Sequence, residues 1–192
     1  LGVRPRIYRA GRYGAGPATA SILTELGYAI DTSVRAHFDY SAERGAPDYR
    51  AHPLAPYWLD GQRRLLELPG TTVFSGALAP KGPRLLPLAA RVPKLPGVLA
   101  RSGLHEPIPL TPEGIPARDA NRAIDAPLAQ QVPVLVFSFH SPSLDPGHTP
   151  VVRGAADLVR FYDWWDEILT YLARRSVAPS TVAETMRAAQ LA

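Results

Sequence analysis

Residues 6–31 read RIYRAGRYGAGPATASILTELGYAID, and this stretch decides the fold class. An apolar and aromatic run comes first, and a glycine-rich turn containing Pro17 follows it. Residues 18–26 then space their apolar side chains three and four apart, which predicts a helix ending at Gly27. Residues 28–31 suit a second strand. Strand, helix and strand in this order predict parallel pairing through a right-handed crossover.

Composition bounds the kind of protein. The chain has 192 residues, 46% of them apolar, which predicts a single domain over 1–192 with a substantial core. It holds 21 basic and 17 acidic residues, and its arginines are spread along the chain, so no nucleic-acid partner is predicted. The absence of cysteine excludes disulfides and thiolate metal sites. No apolar run approaches the roughly 18 residues of a transmembrane helix, so no membrane span is predicted.

The N-terminus bears on how much of the protein this chain represents. The chain begins with Leu1 rather than Met and runs within a few residues into the first predicted strand. We therefore expect it to be part of a longer protein. The sequence does not indicate the cellular compartment or the oligomeric state of that protein.

A second stretch, VLVFSFHSP at residues 134–142, contains a histidine near its end. A short run of apolar, β-branched and aromatic residues between prolines predicts a buried strand, with His140 at its C-terminal end. Helices are predicted on either side, at 117–130 and at about 155–175. Prolines between 80 and 116 exclude a long helix there, and the sequence offers no physical account of that segment.

Four polar residues follow the predicted strands. Arg9 and Arg12 end the first strand, and Asp31 ends the second. His140 ends the late one. If these strands are parallel members of one sheet, their C-terminal ends meet at the edge where α/β proteins place their chemistry. Each residue also has a structural interpretation, as a surface arginine, a polar turn or a hydrogen-bonded histidine, but the coincidence of all four favours a functional site.

Three segments resemble motifs of the NodB-type polysaccharide deacetylases, carbohydrate esterase family 4. YRAGRYG at residues 8–14 is similar to the third motif, LGYAIDTS at 26–33 leads into the fourth, and VFSFHSPSL at 136–144 is similar to the fifth. The resemblance implies an α/β fold, a distorted (β/α) barrel of the glycoside hydrolase and deacetylase type. This chain would be its N-terminally truncated, C-terminal part, and residues 80–116 would be a proline-rich insertion.

The resemblance also implies an activity, the metal-dependent hydrolysis of acetyl groups from N-acetylated sugars of a bacterial surface polysaccharide. His140 would protonate the departing amine, Arg9 would orient the aspartate that acts as base, and Asp31 would keep His140 protonated. Four further residues would contact the sugar: Arg12, Tyr13, Tyr40 and Trp58.

The chain departs from the family pattern in several respects. The first and second motifs, which bring the base and the metal ligands, precede the third, and the segment before Arg9 is too short to hold them. The five histidines include no pair at the spacing of a helical metal site. We therefore expect a divalent metal, zinc by preference, in the full-length protein, and neither metal binding nor activity in this chain alone. Ser138 replaces the usual leucine of the fifth motif, and Asp39 competes with Asp31 as the fourth-motif aspartate.

Two other functions stay open on the residues alone. A non-catalytic carbohydrate-binding relative would stack sugars on four aromatic residues, although the same rings could pack their loop onto the fold: Tyr40, Tyr49, Tyr57 and Trp58. A phosphate- or nucleotide-binding α/β module is suggested by the glycines of residues 11–16, between a strand and a helix. Their spacing matches neither the Rossmann fingerprint nor a P-loop.

Overall fold

The strand, helix and strand predicted near the start of the chain are present in the computed structural model. The structure describes residues 2–41, 45–75, 92 and 106–191. Strand β1 spans Ile7–Tyr8, helix α1 spans Thr19–Glu25 and strand β2 spans Ile30–Asp31. β1 and β2 are parallel and in register, which confirms the predicted unit and brings the C-terminal ends of both strands to one edge.

Two further strands complete this sheet. β3 spans Tyr57–Trp58 and β4 spans Leu66–Glu67. The strand order is β1-β2-β4-β3, with β4 parallel to β2 and β3 antiparallel to β4. The sequence did not predict β3. A strand of two residues is too short to show an alternation of apolar and polar side chains.

A second sheet continues from the first. The sequence predicts short strands at 65–68 and 72–75 separated by Pro69 and Gly70, and the structure places β4 before this pair and β5, Thr72–Ser75, after it. β5 pairs antiparallel with β6, Glu106–Pro109, a strand that the sequence did not predict because prolines are unusual within strands. Within the predicted insertion at 80–116, residues 80–91 and 93–105 lie outside the described residues.

Three longer helices follow. α2 spans Ala117–Ala129 and α3 spans Ala155–Ala173, close to their predicted bounds, and α4 spans Val182–Leu191. The larger core lies where α2 and α3 pack against β5 and β6. α3 contributes four buried residues at helical spacing: Phe161, Trp164, Ile168 and Leu172. A smaller core joins β2 and β4 to α4.

Residues 134–139 do not form the predicted buried strand. They have no regular secondary structure, residues 134–138 are half-buried, and Phe139 is exposed. The Val136 carbonyl accepts from the Thr71 amide at 3.1 Å, but the Val136 amide donates to the Thr71 hydroxyl at 2.8 Å. A side-chain oxygen therefore takes the place of a backbone carbonyl, which interrupts the ladder before it can repeat.

The described residues thus form a four-stranded and a two-stranded sheet with helices packed against them. The closed (β/α) barrel and the single domain over 1–192 stay predictions. Across the described ranges, no helix is both long enough and apolar enough to cross a membrane, which agrees with the expectation from the sequence.

Trp164 ties α3 to the turn before α2. Its indole Nε1 donates to the Ile115 carbonyl at 2.8 Å, and the residue is buried. Trp164→Phe should lower the free energy of unfolding by about 2 kcal/mol, because it removes this hydrogen bond and part of the buried ring. Trp165→Phe is the matched control on a half-buried ring and should cost less than about 1 kcal/mol. Equal losses in urea denaturation would contradict this account.

Candidate functional site

Two acidic residues end neighbouring parallel strands. Asp31 is the last residue of β2 and Glu67 the last of β4, and they lie opposite each other in the register. Asp31 is 2% exposed and Glu67 is 1% exposed. Buried carboxylates need hydrogen bonds or counter-charges, so their partners define this part of the site.

Both carboxylates accept hydrogen bonds from the loop after β2. Asp31 Oδ1 accepts from the Ser33 amide at 3.0 Å and from the Ser33 hydroxyl. Glu67 Oε1 accepts from the Val34 amide at 2.9 Å. The Ser33 hydroxyl in turn accepts from the Ala10 amide at 2.8 Å, which ties the loop to the end of β1. This network holds the C-terminal ends of three strands together.

Burial dominates the electrostatics of this pair. It raises the pKa of Asp31, although hydrogen bonds from the following loop oppose the shift. It also raises the pKa of Glu67 to about 8, and the neighbouring charge of Asp31 adds to that shift. Arg9, whose Nε donates to Thr32 Oγ1 at 2.9 Å, favours the ionised forms of both carboxyls without reversing either shift. Glu67 is therefore mostly protonated at neutral pH.

The structure brings Arg9 and Asp31 together, and it adds Glu67, which was not among the residues predicted from the sequence. The sequence did contain an indication of Glu67, because it is the one charged residue in the apolar run at 65–68. A charge within a strand that is buried on both faces needs a partner, and that requirement could have drawn attention to it.

A different carboxylate binds His140. The imidazole Nδ1 lies 2.6 Å from Glu113 Oε2, and the His140 amide donates to Glu113 Oε1 at 2.9 Å. The His140 side chain is 78% exposed, whereas that of Glu113 is 12% exposed. Within the described part of the chain, Nε2 of His140 has no hydrogen-bond partner. A mostly shielded carboxylate behind an exposed imidazole orients the ring and leaves its far nitrogen for a ligand.

Hydrogen bonds keep Glu113 ionised. Burial alone would raise the pKa of this carboxyl, but hydrogen bonds from Ser143 and His140 outweigh burial and lower the pKa. Ser143 Oγ donates to Glu113 Oε1 at 2.6 Å. An ionised carboxylate can only accept, so Nδ1 of His140 carries the proton in this pair.

Glu113 takes the place of the two aspartates that the sequence offered as partners of His140. Asp31 is hydrogen-bonded within its own loop, and Asp39 lies 3.5 Å from Arg50. Glu113 is 27 residues from His140 in the chain, so no local pattern connects them. The sequence signal is only an acidic residue in a turn, Thr-Pro-Glu-Gly at 111–114.

A narrow cleft lies between the C-terminal ends of the first sheet and the segment that leads to His140. Its lining comes from the segments after β1, β2 and β4, from β6 and from the segment 134–139: Tyr13, Arg35, Gly70, Thr71, Pro109, Val136 and Ser138. The segments that resemble the third and fifth motifs therefore meet at this cleft, through Tyr13 and Ser138.

The four residues predicted to contact sugar take different positions. Tyr13 lines the cleft and stacks on Tyr40, with ring centroids 5.6 Å apart. Arg12 is exposed beside Tyr13, and both have positive φ, 54° and 57°. Trp58 is half-buried in β3 against the smaller core. Tyr13 and Tyr40 therefore lie at or beside the cleft, whereas Trp58 packs the sheet.

The other aromatic residues of this loop pack it onto the fold. Tyr49 is 4% exposed and donates its hydroxyl to the Tyr13 carbonyl at 2.5 Å. Burial raises the pKa of Tyr49 to about 12, so this hydroxyl stays protonated as a donor. The Tyr57 hydroxyl lies 2.7 Å from His52 Nδ1. These contacts favour packing over sugar stacking for both residues.

The described residues offer little to a metal ion or a phosphate. Among them, no three His, Asp or Glu side chains come together as a metal site requires. Asp31 and Glu67 supply only two carboxylates, and no third His, Asp or Glu side chain among the described residues joins them, so the pair falls short of a zinc ligand set. The Gly16 amide donates to Thr19 Oγ1 at 2.9 Å, and α1 has only seven residues, so the glycine-rich turn offers little to a phosphate.

Comparisons with protein-family models, with curated proteins and with solved structures find no match. Within the site, the Glu113–His140 pair has the clearest chemical capability, because it presents an oriented imidazole at the surface.

Proposed function

We propose that this chain supplies the acid half of a polysaccharide deacetylase active site, which hydrolyses acetyl groups from N-acetylated sugars of a bacterial surface polysaccharide. The Glu113–His140 pair is the observation that carries the proposal. The tetrahedral intermediate of amide hydrolysis needs a proton on its nitrogen, since an amide anion is a very poor leaving group. An imidazole held at Nδ1 by a carboxylate can donate that proton from Nε2.

His140 acts after water has added to the acetyl carbonyl. Its Nε2 proton passes to the sugar nitrogen, the bond between nitrogen and the acetyl carbon breaks, and acetate and a neutral amine separate. Glu113 accepts the Nδ1 hydrogen bond throughout and stabilises the imidazolium before the transfer. Ser143 holds the Glu113 carboxylate in place through its 2.6 Å hydrogen bond.

Arg9 orients an aspartate base in this proposal, as the resemblance implies. Its Nε donates to Thr32. Its terminal nitrogens have no partner among the described residues and can donate two hydrogen bonds to one carboxylate. Asp31 becomes a positioning residue, because it holds the Ser33 hydroxyl that accepts from the Ala10 amide, next to Arg9.

A divalent metal, zinc by preference, belongs to the proposal as the group that would activate the attacking water. The described residues do not provide a set of ligands for it. The steps assigned to His140, Glu113 and Arg9 therefore involve only side chains of this chain.

Acetate release from N-acetylated oligosaccharides by the intact protein tests the proposal. Glu113→Gln should lower kcat by about 10- to 100-fold with little change in KM, because a neutral amide stabilises the imidazolium poorly. Glu25→Gln, on the exposed surface of α1, is the control and should keep full activity. Full activity of Glu113→Gln would overturn the role of the pair. Sugar binding without acetate release would favour the non-catalytic carbohydrate-binding alternative.

A further inference from the structure

The guanidinium of Arg35 contacts two aromatic rings at the cleft. Its Cζ lies 3.9 Å from the ring centroid of Phe38 and 5.3 Å from that of Tyr13. The backbone of Arg35 pairs with Gly70, beyond the end of β4, so the residue belongs to the same sheet edge as the proposed site. Cation–π contacts with two rings favour one placement of the guanidinium.

The charge of Arg35 is not neutralised by the described residues. Its Nη1 donates to the Tyr40 hydroxyl at 3.0 Å, and burial raises the pKa of Tyr40, so this partner is uncharged. Nε is buried and has no acceptor in the described part of the chain. No described carboxylate lies within ion-pair distance of the guanidinium. A buried donor without an acceptor is costly, and a guanidinium without a counter-charge favours an anionic partner.

Two residues near this guanidinium have a strained backbone conformation. Tyr13 has a φ of 57° and His37 a φ of 70°, both in the left-handed region that side chains with a Cβ rarely adopt. The Tyr49 hydroxyl holds the Tyr13 carbonyl at 2.5 Å. Such strain is kept where surrounding contacts over-determine a conformation, commonly at ligand sites.

The size of the cleft limits what can reach Arg35. The cleft encloses about 10 Å³, close to the space of a single water molecule. A sugar ring cannot enter it, but one oxygen that projects from a sugar can. Because Arg35 offers N–H donors and a full positive charge, the best match is an oxygen of a carboxylate or a phosphate.

We propose that Arg35 binds an oxyanion, a carboxylate or phosphate, carried by the polysaccharide, so that the substrate of this site is an acidic polysaccharide. The inference rests on the proposed function for the identity of the ligand as a polysaccharide. It does not rest on catalysis, because Arg35 would recognise the anion and take no part in proton transfer.

Binding to defined oligosaccharides, measured by calorimetry on the intact protein, tests this inference. Trigalacturonate should bind at least about tenfold more tightly than its methyl ester, and Arg35→Gln should abolish that difference. Inorganic phosphate should compete with trigalacturonate if the pocket accepts phosphate, and should not compete if it is specific for carboxylate. Either result agrees with an oxyanion site. Equal affinity for acid and ester, or an unchanged preference in Arg35→Gln, would overturn it.

Two control variants distinguish a loss of binding from a loss of folding. Arg35→Lys keeps the charge and should keep a reduced preference for the acid, since lysine cannot stack and fork as arginine does. Arg118→Gln, an exposed arginine on α2, should bind as the unmodified protein does. Because binding is measured without turnover, a preference for the acid with no acetate release would leave the oxyanion site standing while the deacetylase proposal fails.

Discussion

His140→Ala is expected to lower kcat for acetate release by about 10²- to 10⁴-fold in the intact protein, the usual contribution of a positioned general acid. The effect on folding should be small, because the His140 side chain is 78% exposed. Removing it still leaves Glu113 with the Ser143 hydrogen bond and with the amide of residue 140. A large loss of activity with little change in melting temperature is therefore the expected combination.

His148→Ala is the matched control for this prediction. His148 is also exposed and also lies close to a carboxylate, with its Nε2 3.0 Å from Asp145 Oδ2. The Asp145 side chain is 75% exposed, whereas that of Glu113 is 12% exposed, so His148 lacks the shielded carboxylate that supports His140. His148→Ala should retain the activity of the unmodified protein. Normal turnover by His140→Ala in parallel assays would remove the proposed acid.

Glu67→Gln is expected to make the protein more stable than the unmodified chain at pH 8 to 9, by roughly 3–5 kcal/mol. In the unfolded chain, Glu67 ionises near its ordinary pKa of 4.5, whereas burial and the charge of Asp31 raise the pKa to about 8 in the folded protein. The stability that depends on the protonated side chain is complete below about pH 4.5. It is lost progressively as pH rises to about 8, and glutamine, which is always neutral, avoids this loss.

Urea denaturation at several pH values from 4 to 9 measures the effect of Glu67→Gln. The unmodified protein should lose stability across this range relative to the variant, and the two should converge at the acidic end. Asp31→Asn should make the total loss of stability smaller and complete at a lower pH, because removing the neighbouring negative charge brings the folded pKa of Glu67 closer to its ordinary value. Glu25→Gln, on an exposed carboxyl, should leave the pH dependence unchanged. Parallel curves for Glu67→Gln and the unmodified protein would contradict the buried, protonated state.

The elements predicted well from the sequence are those whose pattern is local. α2 and α3 show helical spacing over several turns, and the Pro69–Gly70 turn marks the break between two strands. β3 and β6 escaped prediction for physical reasons. They have two and four residues, and the hydrogen bonds that define them come from partner strands elsewhere in the chain.

The candidate site was predictable only in part. Arg9 and Asp31 follow consecutive parallel strands, so the topology of that unit brings them to one edge. The strand predicted to end at His140 is irregular instead, because the Thr71 hydroxyl replaces a backbone acceptor there. Thr71 and Val136 are 65 residues apart, so no local sequence pattern could show that this side chain accepts the hydrogen bond.

The sequence by itself determined the parallel unit at residues 6–31 and the two long helices, and it singled out His140 as a candidate site residue. Only the tertiary structure decided that Glu113 holds His140 and that Glu67 lies against Asp31. Helices and turns follow from interactions between near neighbours, which are legible in the chain. The hydrogen bonds of Glu113 to residue 140 and of Glu67 to residue 34 span 27 and 33 residues, so they exist only once the sheet has brought those segments together.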